Sequence, residues 1–92
     1  MAILTIFKLS GDPDELLRMA REELGPVVSE SAAANGRISS TIARTDTGLV
    51  IVNVWHDEGG MRRAAERVGP IARERGMPGQ EDWQMYEVLD RA

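Results

Sequence analysis

Cysteine is absent from this sequence of 92 residues. The absence excludes disulfide bonds, cysteine-ligated metal clusters and thiolate nucleophiles, and it leaves the redox compartment open. Histidine is almost absent too, since His56 is the only one. One imidazole with scattered carboxylates does not have the ligand spacing of a metal site. We therefore expect no metal ion.

Positive charge and long apolar runs are also scarce. The net charge is −4 and the isoelectric point is near 4.9, which argues against a nucleic-acid partner because phosphates favour clustered Lys and Arg. The apolar segment ILTIFKL, 3–9, is too short to span a membrane, and no basic segment precedes it. We expect a single domain over residues 1–92 in the cytoplasm, with no nucleic-acid or membrane partner.

The pattern of apolar and turn residues predicts the element order βαββαβ. Segments rich in β-branched and aromatic residues, bounded by turn residues, predict strands at 3–9, 37–45, 49–55 and 82–89. Apolar residues at helical spacing predict two helices between them. The first is expected to begin after Asp12 and to end near Asn35-Gly36, and the second to begin after Asp57 and to end in RGMPG, 75–79.

The two halves of the chain resemble each other. A Gly-Pro step occurs in both predicted helices, at 25–26 and at 69–70, which is a separation of 44 residues (69 − 25). The same shift superposes 37–45 on 81–89. Because proline removes a helical hydrogen bond, we predict a bend or a restart at each step. Two βαβ halves predict a ferredoxin-like α+β fold, a four-stranded antiparallel sheet with two helices on one face.

The strand LVIVNVW, 49–55, is apolar on both faces. Its odd-numbered residues point to one side and its three valines to the other. The face that the helices leave open would be a large exposed apolar patch on a monomer, so we predict a homodimer joined through the open sheet face. If the valines meet the helices, Asn53 and Trp55 point into the open face, with Ile51 beside them.

Asn53 and Trp55 are the first candidate site residues. A primary amide in an apolar strand must be hydrogen-bonded, or its burial costs roughly 1–3 kcal/mol. Asn53 therefore bonds either a protein neighbour across the dimer or a ligand oxygen. Trp55 is either a core residue or a pocket wall. His56 falls on the side of Val54 and is expected at the corner between strand and helix.

Further candidates lie on the outer strands. Lys8 is the single lysine, and matching Asp12 to Asp57, a shift of 45 (57 − 12), places it opposite Asn53. It is either a buried amine or a strand-end residue with an exposed charge. Tyr86 and Met85 take opposite faces of the last strand, and the sequence does not decide which of them faces a pocket. The shift of 44 pairs Tyr86 with Ile42, which is expected to face the helices. This pairing counts against Tyr86 as a pocket residue.

The stretch VNVWHDEGGM, 52–61, resembles the antibiotic biosynthesis monooxygenase family of dimeric α/β barrels. The resemblance rests on a strand ending in Trp, an acidic pair that opens the second helix, the closing strand MYEVL and the βαββαβ order, and it covers nearly the whole chain. Two features depart from the members that degrade haem. The first strand has no Asn and the second helix has no His, so the resemblance does not extend to haem degradation.

The resemblance implies a cofactor-independent monooxygenase that acts on an aromatic polyketide-like or quinol-type small molecule. Such a substrate, once deprotonated, is electron-rich enough to reduce O₂ without flavin, haem or metal, and the protein supplies an apolar cavity and hydrogen bonds. By this resemblance Asn53 bonds the substrate carbonyl, Trp55 forms a wall, and Tyr86 or Lys8 assists proton movement. The residues expected to contact the substrate further are Ile51 and Met85.

The alternative is a non-catalytic module on the same scaffold that binds a small apolar or aromatic ligand or another protein. In that case Trp55 and Met85 fill the sheet face. A closed cavity that reaches Asn53 distinguishes an enzyme from such a module.

Overall fold

In the described part of the chain, four strands and two helical regions follow one another in the predicted order, and the first helical region is divided into two α-helices. The computed structural model describes residues 1–76 and 81–91, without the side chains of Glu81 and Asp82. The positions 77–79 of the predicted helix stop lie outside the described residues. The elements are β1 (Ile3–Ser10), α1 (Pro13–Arg18), a π-helical turn (Met19–Glu23), α2 (Gly25–Ala34), β2 (Arg37–Arg44), β3 (Gly48–Trp55), α3 (Glu58–Glu74) and β4 (Glu81–Glu87).

The four strands form one antiparallel sheet in the order β2-β3-β1-β4. The two central strands are β1 and β3, and their register places Ile3 opposite Trp55 and Thr5 opposite Asn53. The last strand, β4, pairs with the first, which is the mark of two interleaved βαβ halves. The predicted ferredoxin-like α+β fold is therefore confirmed.

Both helical regions begin at the predicted aspartates. Asp12 accepts a hydrogen bond from the backbone N–H of Glu15 (3.3 Å), and Pro13 occupies the first helical position. Asp57 accepts one from the backbone N–H of Gly60 (2.7 Å). A side-chain oxygen at this position satisfies an N–H group that has no partner inside the helix. These two caps define where each helix leaves the sheet.

The two Gly-Pro steps have different effects. In the first helical region a π-helical turn ends where the N–H of Leu24 donates to the carbonyl of Met19 (3.2 Å), and α2 restarts at Gly25. The restart predicted at Pro26 is thus confirmed. By contrast, α3 continues through Pro70 without a restart. Glycine before proline makes this possible, since it has no Cβ to clash with the proline ring in the helical conformation.

The helices cover the face of the sheet that carries the odd-numbered residues of β3. Two buried clusters join this face to the helices, one of Leu9, Leu16 and Leu49 and the other of Ala32, Trp55, Met61 and Ala64. Alternation along the strand then turns the three valines of β3 to the other face. The expectation that the valines meet the helices, with Asn53 and Trp55 on the open face, is wrong. Because β3 is apolar on both sides, its pattern does not tell the two faces apart.

The other face of the sheet carries no helix among the described residues. We call it the open face, and it comprises Leu4, Ile6 and Lys8 of β1, Ser39, Thr41 and Ala43 of β2, Val50, Val52 and Val54 of β3, and Gln84 and Tyr86 of β4. Most of its aliphatic side chains are partly exposed.

In the part of the chain that the structure describes, none of the helices has the length and apolar character needed to cross a bilayer.

Candidate functional site

A cavity of about 800 Å³ lies between the helices and the sheet. Its lining includes residues of both buried clusters, with Leu9 from one and Ala32, Trp55 and Met61 from the other. Small-molecule sites in proteins typically have volumes of about 300–1,000 Å³. The space is therefore large enough for a ligand with several fused rings.

The cavity exists because the helices present small side chains to the sheet. Interiors are normally filled to the density of organic crystals, so a run of Ala, Gly and Ser on an inner face leaves space unless larger groups compensate. Here small residues make up about half of the helical lining. The small lining residues are Ala20, Gly25, Ser29 and Ala32 from the first helical region and Ala64, Ala65, Gly69 and Ala72 from α3.

Asn53 lies on the sheet wall of this cavity. Its side chain is only 7% exposed, and its Oδ1 atom is buried with no hydrogen-bond partner among the described residues. Leaving an acceptor buried without a partner costs about 1–3 kcal/mol. A ligand that offers an O–H or N–H group at this point would remove that cost.

Trp55 is both a core residue and a wall of the cavity. It is buried between Ala32, Met61 and Ala64, and it also lines the open space. Its Nε1–H donates to the Oγ1 atom of Thr5 at 3.3 Å, and Thr5 is completely buried. The indole nitrogen is therefore satisfied inside the protein, which leaves the ring to contact a ligand through its apolar surface.

A second aromatic wall stands across β1 and β4. The rings of Phe7 and Trp83 stack with their centroids 5.9 Å apart and their planes 25° apart, and both residues line the cavity. Neither residue was among the predicted site residues. The register of β4 against β1 brings them together, and that long-range pairing has no local signal in the sequence.

Three arginines complete the lining. Arg21, Arg37 and Arg73 border the cavity, and its described lining residues include no Asp, Glu or His. Arg37 is partly buried, and desolvation lowers the pKa of its guanidinium from the usual value. None of the three was among the predicted site residues, because arginines spread over two helical segments and a strand end resemble an ordinary exposed surface.

The candidate residues divide between the two faces of the sheet. Ile51 lines the cavity beside Asn53, and Met85 packs against the buried cluster that contains Trp55. Lys8 pairs with Val50 on the open face and is exposed. Tyr86, 53% exposed, is also on the open face, opposite Leu4. Alternation thus separates Lys8 and Tyr86 from the cavity of their own chain.

His56 lies at the corner between β3 and α3, as predicted. Its side chain is exposed, and its backbone N–H donates to the carbonyl of Gly36 at 2.8 Å. In the ranges 1–76 and 81–91, no group of three or more His, Cys, Asp or Glu side chains comes together in a way that could hold a metal ion.

Solved structures share this fold at low sequence identity. The sequence matches no protein-family model and no curated protein. An asparagine-to-alanine variant of SnoaB, a cofactor-independent oxygenase from Streptomyces nogalater, is 22% identical, with a TM-score of 0.65 over 98% of this chain and 93% of that one. A Chloroflexus aurantiacus protein assigned by name to the antibiotic biosynthesis monooxygenases is 15% identical, with a TM-score of 0.64 over 100% and 97%.

Rv0793 from Mycobacterium tuberculosis is similar to the same degree. It is 15% identical, with a TM-score of 0.63 over 99% of this chain and 96% of that one. The TM-scores, over almost the whole of each chain, establish a common fold. The activity has to be argued from the cavity itself.

Proposed function

We propose that the cavity binds a small aromatic molecule of the polyketide-like or quinol type, and that the protein oxygenates it without a cofactor. The observation that carries the proposal is the Oδ1 atom of Asn53, which has no partner among the described residues and is buried in the wall of a cavity of about 800 Å³. The aromatic rings of Trp55 and Trp83 on that lining suit a flat aromatic ligand. The likeness to SnoaB, a cofactor-independent oxygenase, supports the reaction class.

The reaction needs only the substrate and O₂. Loss of a proton from the reacting CH₂ group gives an enolate, whose electron pair forms a bond from carbon to oxygen and reduces O₂ to a bound peroxide. The peroxide takes up a proton, and its O–O bond breaks with loss of the remaining C–H proton. The products are a ketone and one molecule of water. In total, one CH₂ group and one O₂ become one C=O group and one H₂O.

The proposal gives each lining residue a limited role. The amide of Asn53 holds a hydroxyl or carbonyl oxygen of the substrate, and Trp55 and Ile51 form apolar walls that exclude water from the reacting carbon. Met85 supports Trp55 from β4. Because Lys8 and Tyr86 lie on the open face, the proposal assigns them no step in the cavity of their own chain.

We also propose that two copies of the chain associate through the open face. Its aliphatic residues on β1 and β3 form a continuous apolar surface in the described chain. Surfaces of this kind on small domains are usually covered by a partner. The second copy would leave the cavity of each chain on the outer side of its own sheet.

Oxygen uptake tests the proposed reaction. With anthrone as the probe and a metal chelator present, the wild-type protein should accelerate oxygen uptake and produce anthraquinone. Asn53→Ala should lose most of this acceleration while its melting temperature stays equal or rises, since the change removes a buried acceptor that has no internal partner. A matched control is Thr47→Ala, an exposed position in the turn between β2 and β3 that does not line the cavity, which should keep full activity.

Two results would contradict the proposal. One is an absence of protein-dependent oxygen uptake with any anthrone or quinol. The other is an Asn53→Ala variant that melts several degrees lower, since that would show Asn53 to be bonded inside the protein.

A non-catalytic ligand-binding module is the second candidate, favoured by the lack of Asp, Glu or His among the described lining residues. It predicts that anthraquinone raises the melting temperature although anthrone is not oxidised.

A further inference from the structure

The charges around the cavity are unlike those of the rest of the chain. The whole sequence has 15 acidic and 11 basic residues, yet the described lining contains three arginines and no acidic side chain. Its other polar groups, Ser29, Ser40 and Asn53, are neutral. The charged side chains in the described lining are therefore all positive, which favours an anionic ligand.

Arg37 is partly buried, whereas the other described arginines are exposed. Arg18, Arg44 and Arg62 each pair with a carboxylate on the surface. Arg75 donates to the carbonyl of Glu23. Arg37, at the start of β2 and opposite Trp55, makes no side-chain hydrogen bond or ion pair with the residues that the structure describes. A partly buried guanidinium without a partner is stabilised when an anion binds beside it.

We propose that the ligand of this cavity is an aromatic oxyanion and that Arg37 binds its charged oxygen. The inference rests on the proposed function for the location of the site, and it adds the charge of the ligand. Asn53 and Arg37 then recognise different groups, since Asn53 Oδ1 accepts from a hydroxyl and the guanidinium only donates. Arg21 and Arg73, from the π-helical turn and the last turns of α3, add positive charge at the border of the cavity.

This assignment explains how a substrate could ionise where the described lining has no general base. A phenol or enol bound beside a guanidinium loses its proton at lower pH, because the positive charge favours the anion. The proton passes to water or buffer. Arg37 acts in this scheme as a binding residue that stabilises the anion, and it does not itself exchange a proton.

Binding of matched probes tests the charge of the ligand. The probes are β-naphthoate, its neutral isostere β-naphthamide and β-naphthol, each titrated in the absence of any turnover. We expect the wild-type protein to bind the carboxylate more tightly than the amide. In Arg37→Gln the Kd of the carboxylate should rise about tenfold or more, as for the loss of a charge-assisted hydrogen bond, and the Kd of the amide should stay the same.

Absorbance of bound β-naphthol tests the ionisation. The neutral and anionic forms have different spectra, so a pH titration of the complex gives the pKa of the bound phenol. In the wild-type complex the pKa of β-naphthol should be lower than in free solution. In the complex with Arg37→Gln this pKa should return toward the value in free solution. A carboxylate preference without this shift identifies a carboxylate as the oxyanion, and a shift without the preference identifies a phenolate or enolate.

Two control variants separate the local effect from net charge and folding. Arg67→Gln removes the same charge from an exposed position of α3 that does not line the cavity and should leave both measurements unchanged. Arg37→Lys keeps the charge and should retain part of the preference even if Arg37→Gln folds poorly. The inference is overturned if neither the preference nor the shift is seen in the wild-type protein, or if Arg67→Gln has the same effect as Arg37→Gln. Even in that case, the proposed site would be supported if β-naphthamide binds to the wild-type protein and does not bind to Asn53→Ala.

Discussion

At the scale of single residues, the fully buried hydroxyl of Thr5 fixes the position of the largest wall of the cavity. Thr5 is on β1 and accepts the only indole hydrogen bond described for Trp55, across the strand pair that forms the centre of the sheet. Aromatic rings with a polar nitrogen are oriented by such a bond when they are buried. Ring position and protein stability should therefore depend on the same oxygen atom.

Replacing this threonine tests the dependence. Thr5→Val keeps the shape but leaves the indole N–H buried without an acceptor, so it should lower the free energy of unfolding by about 1–3 kcal/mol. Thr5→Ser keeps the hydroxyl and loses only a methyl group. The indole N–H resonance of Trp55 in NMR spectra should move in the valine variant and stay near its original position in the serine variant. Equal spectra for both variants would contradict the assigned bond.

Asn53 shows how far single residues could be interpreted from the sequence. A primary amide in an apolar strand indicated that a partner was needed, and in the structure its Oδ1 atom lies at the cavity with no partner in the described ranges. The direction in which it points was not predictable, because Ile51 and Val52 are equally apolar and either face could be the covered one. Arg37 left no signal at all, since its burial arises only when β2 pairs with β3.

At the scale of elements, α3 begins in close contact with the end of α2. A Cβ added to Gly60 would overlap the backbone carbonyl oxygen of Asn35, whereas a Cβ on Gly59 would meet only side-chain atoms, of Arg63 and Asp57. A backbone atom cannot move aside as a side chain can. The spacing of the two helices at this end of the cavity therefore requires glycine at position 60 and not at position 59.

Alanine at each position tests this requirement. Gly60→Ala should lower the free energy of unfolding by roughly 1–3 kcal/mol, because one helix has to move away from the other. Gly59→Ala should leave it equal or raise it by about 0.5–1 kcal/mol through better helix propensity. Thermal melts compare the two, and about 1 kcal/mol corresponds to about 4–8 °C in a domain of this size. A similar loss at both positions would show that the close approach is absent.

Elements were more predictable than their arrangement. The strand segments and the aspartate caps follow from local residue chemistry, and both agree with the structure. The π-helical turn at Met19–Glu23 was not predicted, since the restart at Gly25 indicates an interruption but not its hydrogen-bond pattern. The space between the sheet and the helices did have a signal, in the alanines and glycines on the inner helical faces. Alanine is a common helix former and does not by itself indicate a cavity.

At the scale of the whole molecule, the two faces of the sheet have different surroundings. One is covered by the helices with a cavity between them, and the other, the open face, has partly exposed aliphatic residues on its central strands. A charge placed at the centre of a buried interface is expensive to desolvate. If two copies associate through the open face, a charged residue in its centre should separate them.

Val52→Lys puts that charge on the open face of β3. We expect the wild-type protein to elute as a dimer in size-exclusion chromatography with light scattering, and the variant as a folded monomer with an unchanged far-ultraviolet spectrum. Ala33→Lys, exposed on α2, adds the same charge elsewhere and should remain dimeric. A wild-type protein that is monomeric and stable at micromolar concentration would refute the association.

The alternation of side chains along β3 has a consequence for how this protein can evolve. Neighbouring positions of the strand face different environments, with Asn53 toward the cavity and Val52 and Val54 toward the open face. Point changes can therefore alter one surface while sparing the other. Gain or loss of a single residue within the strand would exchange the two sets of side chains at once. We expect lineages of this protein to vary β3 by substitution while keeping its length, and to accumulate insertions in the loops instead.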